Sequence, residues 1–107
     1  MSFLVSTPTM RKTVLVLGRS AAGLAPPAIA AEDEALVVLA IGWPLSDAQR
    51  SVLDAAEETA RRDGVLFDAH LIAGPRDIVG LLGASDRLML DAKPREARRI
   101  RRELDRR

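Results

Sequence analysis

Gly18-Arg-Ser-Ala-Ala-Gly23-Leu24-Ala25 has the glycine spacing of a phosphate-cradling P-loop. That chemistry needs a Lys to reach the terminal phosphates and a Ser or Thr hydroxyl for Mg²⁺. Leu24 and Ala25 stand in those places, so the stretch reads as a strand-to-loop turn. It also lacks the G-x-G-x-x-G spacing of dinucleotide sites. His70, the single histidine, invites a catalytic reading, with Asp68 two residues away on the same side of an extended strand. A general base needs an orienting partner and a cleft. No Cys, no second His and no Gly-x-Ser-x-Gly elbow accompanies the pair, which leaves His70 as a half-exposed edge-strand residue. Asp47, Asp54, Glu57 and Glu58 read as a solvated helix face with Arg50 and Arg61 as partners.

Cations supply the stronger signals. In parallel α/β sheets, ligands sit outside the carboxyl ends of the strands. Those ends read Gly18-Arg19-Ser20, Gly42-Trp43-Pro44, Gly74-Pro75-Arg76 and Asp91-Ala92-Lys93. They suggest a small-anion site built from Arg19, Ser20, Trp43, Arg76 and Lys93, with the helix opening at Gly74-Pro75 aimed at the same rim. The second group is the tail from Lys93 to Arg107, where Arg95, Arg98, Arg99, Arg101, Arg102, Arg106 and Arg107 lie on about four turns of helix. Such a row suits phosphates or an acidic partner surface. Glu96, Glu103 and Asp105 interrupt it.

Composition sets the limits. The chain has 107 residues, 48 % apolar and 29 % charged, which suits one small α/β domain spanning 1–107. Zero Cys excludes disulfides, thiol nucleophiles and thiolate metal sites, and one His excludes a His-rich centre. Three aromatics leave little for base stacking. The formal charge of +1 is a cancellation: residues 1–92 carry net −4 and residues 93–107 net +5. No apolar run is long enough to span a membrane, and Arg19 cuts short what would be a signal-peptide core, so a cytoplasmic location is expected. Residues 1–9 are expected to be a flexible extension, with Met10 as an alternative start. No metal and no cofactor is expected.

These residues need elements to position them. Thr13–Leu17 and Ala35–Ile41 are uninterrupted apolar runs ended by glycine, which suits central parallel strands. Between them, Pro26-Pro27 opens a short helix through Ala31. Ser46–Asp63 is a helix with a Ser46/Gln49 capping box, an apolar face of Ala48, Val52, Ala56 and Ala60, and a stop at Gly64. Val65–Ile72 is an edge strand, Arg76–Leu82 a short helix closed by Gly83, and Arg87–Leu90 a fourth strand. Lys93–Asp105 is a basic helix with a thin apolar stripe of Ala97, Ile100 and Leu104. This alternation predicts a three-layer sandwich around a four-stranded, mainly parallel sheet.

Residues 35–90 resemble the universal stress protein family. The carriers are the helix ending Arg61-Arg62-Asp63-Gly64-Val65, the strand end His70-Leu71-Ile72-Ala73-Gly74-Pro75, and the lead-in Ala84-Ser85-Asp86 to Arg87-Leu88-Met89-Leu90. The resemblance implies strand order 3-2-1-4, a flavodoxin-like Rossmannoid sheet and pairing as a homodimer. Nucleotide-binding members carry an Asp at the end of the first strand, where this chain has Leu17-Gly18-Arg19-Ser20. They also carry a glycine phosphate loop after the fourth strand, where this chain runs Asp91-Ala92-Lys93-Pro94-Arg95. The implied protein is a reduced member, without the fifth strand, that has lost ATP binding. The leading expectation is a non-catalytic regulatory or stress-associated module acting through protein contacts and a small anionic ligand. A nucleic-acid-binding accessory protein using the basic helix is the second reading. A small nucleotide-binding or hydrolytic enzyme is the third.

Overall fold

Two apolar runs form the centre of the sheet because their side chains find cover on both faces. The computed structural model describes residues 11–23, 29, 31–82 and 86–105. Strands β1 (Lys12–Leu17) and β2 (Ala35–Ile41) are nearly buried throughout. β3 (Leu66–Ile72) lies beyond β2, and β4 (Arg87–Asp91) lies beyond β1. The order is β3-β2-β1-β4 and every pairing is parallel, with Val14 level with Val37 and Leu88, and Leu39 level with His70. The expected sandwich and strand order are therefore present.

Side chains divide by the two-residue period of the strands. Leu15, Leu17, Leu36, Val38 and Ala40 face α1 (Asp47–Asp63) and pack against Val52, Ala56 and Ala60. Val14, Val16, Leu39, Ile41 and Ile72 face the other way, onto Ile78 of α2 (Arg76–Val79) and Ile100 of α3 (Pro94–Asp105). α1 starts at a capping box, with Ser46 accepting from the Gln49 N–H and the Gln49 side chain accepting from the Ser46 N–H. Gly64 closes it in a left-handed conformation, and the Val65 N–H reaches the Ala60 carbonyl before β3 begins at Leu66.

Three expectations need correction. Ala48 is exposed, and Gln49 takes the buried place beside Val52 because its amide bonds to strand-end carbonyls. The helix expected over 76–82 is one turn that stops at Gly80. Glycine there adds to backbone entropy loss in a helix that has no side-chain cap at Pro75. So short a helix leaves much of β3 uncovered: only Ile72 of that strand is buried. Of the helix expected from Pro26-Pro27 through Ala31, Ile29 and Ala31 are described and are not helical; its other residues, the extension at 1–9, Met10, Gly83, Arg106 and Arg107 lie outside the described residues.

Candidate functional site

The loop after β1 turns six successive backbone N–H groups into the rim of the sheet, and two carboxylates of the same chain collect most of them. The Gly18 N–H continues the ladder to the Asp91 carbonyl at 3.0 Å, and the Ala21 N–H bonds back to the Gly18 carbonyl. Glu96 Oε2 accepts from the Arg19 N–H at 2.8 Å, and its Oε1 accepts from the Ser20 N–H at 2.7 Å and the Ser20 hydroxyl at 2.5 Å. The carboxylate of Asp91, at the end of β4, accepts from the Ala22 N–H at 2.7 Å and the Gly23 N–H at 3.1 Å. The loop thus has the N–H convergence of an anion seat, and its anions are internal.

Gly18 is required by this contact. A Cβ at that position would lie 2.5 Å from Glu96 Oε1 and 2.8 Å from the Ala92 methyl. Burial pushes the Glu96 carboxyl up, but the bonds from the Ser20 hydroxyl, the Ser20 and Arg19 N–H groups and the charge of Arg99 outweigh it. The carboxyl is held below its ordinary value. The Ser20 hydroxyl is engaged on both sides, since its oxygen also accepts from the Lys93 N–H at 3.1 Å.

α1 meets the same rim through Gln49. Its buried amide donates to the Leu17 carbonyl at 3.3 Å and the Ile41 carbonyl at 2.8 Å, tying together the ends of β1 and β2. Arg19 crosses to the next loop, where its guanidinium donates to the Pro44 carbonyl. Gly42 makes room for it: its φ is +97°, and a Cβ there would lie 2.6 Å from Arg19 Cδ. The Trp43–Pro44 peptide is cis.

Above the Glu96 seat opens a cleft of about 750 Å³. Its walls are Arg19, Ser20 and Lys93 from the strand ends, and Arg95, Glu96, Arg98, Arg99 and Arg102 from α3. The four arginines recur at helical spacing on one face, while Ile100 anchors the opposite face in the core. Part of each cation group that the sequence suggests separately, Arg19, Ser20 and Lys93 from the first and Arg95, Arg98, Arg99 and Arg102 from the second, therefore lines one cleft. Trp43 and Arg76 do not line it. Trp43 is 75 % exposed, and Arg76 reaches Glu103 of α3 at 3.7 Å. Arg101 lines a different, smaller cleft with Leu82, Leu88 and Leu104.

His70 lies elsewhere. Its Nε2 is 2.9 Å from Asp68 Oδ2 on β3, and both side chains are about half exposed or more. Among the described residues, no group of three or more His, Cys, Asp or Glu is arranged to hold a metal ion, and no helix is long and apolar enough to cross a membrane. No family model matches the chain, and neither does a curated protein or a solved structure.

Sequence reasoning missed Glu96, Asp91 and Gln49 as site builders. Glu96 reads as an interruption of a basic row, and its target lies 76 residues away. Gln49 carries a local signal, the spacing from Ser46, but that spacing accounts only for the helix cap.

Proposed function

We propose that the chain is a non-catalytic regulatory module, of the kind its resemblance to universal stress proteins implies, that holds a small phosphate-bearing anion in the cleft above the ends of β1 and β4. The observation that carries the reading is the convergence of Arg19, Lys93, Arg95, Arg98, Arg99 and Arg102 around a cleft lined by one carboxylate, Glu96. Cations crowded into a concave surface repel one another, and a bound anion relieves that repulsion. Arginine adds planar, bidentate recognition of phosphate oxygens. The carboxylate already seated on the β1 loop directs the ligand to the side chains rather than to the backbone N–H groups. The strand order matches the one the resemblance implies. Fold alone does not establish function, so the weight rests on the cleft. The reading includes association with a second copy of the chain.

The test is a titration of the full chain with inorganic phosphate, pyrophosphate, ATP and a short oligonucleotide at low and high salt, read by thermal shift and calorimetry. Phosphate or pyrophosphate is expected to raise the unfolding midpoint, since a ligand that binds only the folded chain stabilises it by mass action. The Arg98→Ala/Arg102→Ala variant is expected to lose that shift. ATP binding far tighter than pyrophosphate would show that nucleotide recognition is retained. Preferred oligonucleotide binding with a steep salt dependence would favour the nucleic-acid reading of the same arginine row. No response to any of them overturns the proposal.

A further inference from the structure

We propose that β3 is the interface of a two-fold homodimer, in which two copies pair their β3 strands antiparallel about Ala69. Among the described residues no strand lies beyond β3, so its outer backbone edge is open. An open edge with apolar side chains is a template for another strand. Leu66 is 61 % and Leu71 49 % exposed, which makes β3 the most exposed apolar strand of the sheet.

The direction of the backbone groups restricts how a second strand can pair. The Leu66 N–H bonds to the Glu34 carbonyl, and the Ile72 carbonyl accepts from the Gly42 N–H. Even-numbered residues of β3 therefore turn their polar groups toward β2. Phe67, Ala69 and Leu71 turn theirs outward. Antiparallel pairing about Ala69 places each of these three opposite an outward-facing residue of the second copy: Phe67 against Leu71, and Ala69 against itself. Each gives one N–H and receives one on its carbonyl, as hydrogen-bonded antiparallel pairs do.

Side-chain chemistry selects this register from its neighbours. Centring on Ala69 sets Asp68 opposite the second copy's His70, and His70 opposite its Asp68. These are non-hydrogen-bonded positions, where side chains approach most closely. The Asp68 and His70 groups already meet at 2.9 Å within one strand, so the dimer would close a four-membered ring of alternating partners. Centring on residue 68 would oppose two aspartates, and centring on residue 70 would oppose two histidines. Like charges directly opposite each other are destabilising, which disfavours the first register, and the second sets Asp68 opposite Ile72 instead of a histidine. On the α1 face, Phe67 of one copy would lie beside Leu71 of the other, next to an apolar groove lined by Leu45, Leu53, Ala69 and Leu71. On the other face, the open cleft formed by Val37, Leu66 and Leu81 would continue across the two-fold axis. Every cross-strand pair is then apolar on apolar or Asp on His, the self-complementarity that a two-fold interface demands.

The proposal rests on the reading of a self-associating module and is independent of the anion cleft. Its test uses the full chain, which has no cysteine. Light scattering or sedimentation is expected to give a dimer of the 11.6 kDa chain. Asp68→Lys opposes a cation to His70 twice per dimer and is expected to weaken dimerisation by about tenfold or more. Adding His70→Glu to that variant is expected to restore it. Ala69→Cys sits on the two-fold axis at a Cα separation of about 5.5 Å, within reach of a disulfide, and is expected to cross-link under mild oxidation far more than a Ser51→Cys control on the exposed side of α1. Circular dichroism checks that each variant is folded. A chain that stays monomeric at all concentrations, including one that still binds phosphate, overturns the interface. So does a dimer in which Ala69→Cys fails to cross-link or Asp68→Lys has no effect.

Discussion

Ser20 is gripped by Glu96 twice, through its N–H at 2.7 Å and its hydroxyl at 2.5 Å, and this contact joins the loop after β1 to the first turn of α3. The Arg19 N–H adds a third bond to the same carboxylate. A basic helix is thereby fixed over the strand ends by one of its few acidic residues. The cleft above owes its shape to that contact.

Glu96→Gln is expected to destabilise the fold by about 1–3 kcal/mol at neutral pH, the range for weakening hydrogen bonds to a charged, largely buried acceptor. The pH dependence follows from the lowered carboxyl pKa. A group with a depressed folded-state pKa stabilises the fold above its unfolded value, and that contribution is lost as pH falls through the folded one. Denaturant titrations of the wild type should therefore show this stabilisation draining away on the acid side, and the Glu96→Gln profile should be flatter there. A profile identical to wild type would mean that the contact contributes nothing.

Glu96→Ala opens the backbone seat as well as removing a negative charge from the cleft. Inorganic phosphate is expected to bind this variant more tightly than the wild type, measured by calorimetry, although the unliganded variant is less stable. Gly18→Ala should act in the same direction, because its methyl takes the place of Glu96 Oε1.

Gly42→Ala meets two obstacles. The backbone there has a φ of +97°, and the new methyl would collide with Arg19. A non-glycine residue in such a conformation costs about 1–3 kcal/mol. The loss is expected in chemical denaturation, and the Arg19 guanidinium should leave the Pro44 carbonyl.

Gln49→Ala removes an amide that bonds the Leu17 and Ile41 carbonyls and accepts from the Ser46 N–H. Buried carbonyls left without partners cost about 1–3 kcal/mol. Thermal unfolding should report at least that much destabilisation. Gln49→Glu should be worse than an isosteric exchange suggests, because a carboxylate cannot donate to the two carbonyls.

Ile100→Ala is expected to cost about 2–5 kcal/mol, as a large-to-small change at a fully buried position. Ile100 is the one fully buried residue of α3, so the variant should also loosen the arginine row and weaken anion binding. Hydrogen exchange along 94–105 would show the loosening directly.

Much of the architecture was legible in the chain. Thr13–Leu17 and Ala35–Ile41 had to be central strands, since only cover on both faces suits an unbroken apolar run. The Ser46/Gln49 box and Gly64 marked both ends of α1, because capping is local chemistry. Alternation of elements then gave the class of the sheet, and the expected order 3-2-1-4 is the observed one. Of the thin stripe Ala97, Ile100 and Leu104 on α3, Ile100 is fully buried and Leu104 packs beside it.

Contacts between distant residues were not legible. Nothing around Glu96 announces that it leaves the arginine row to sit on the N–H groups of Arg19 and Ser20, because hydrogen bonding across 76 residues exists only once β1 and β4 are neighbours. The same placement merged Arg19, Ser20 and Lys93 with Arg95, Arg98, Arg99 and Arg102, and left Trp43 and Arg76 apart. Local propensity, capping and hydropathy act over a few residues and were fixed by the order of amino acids. Which charges converge depends on strand pairing and helix docking, and only the folded chain decided that.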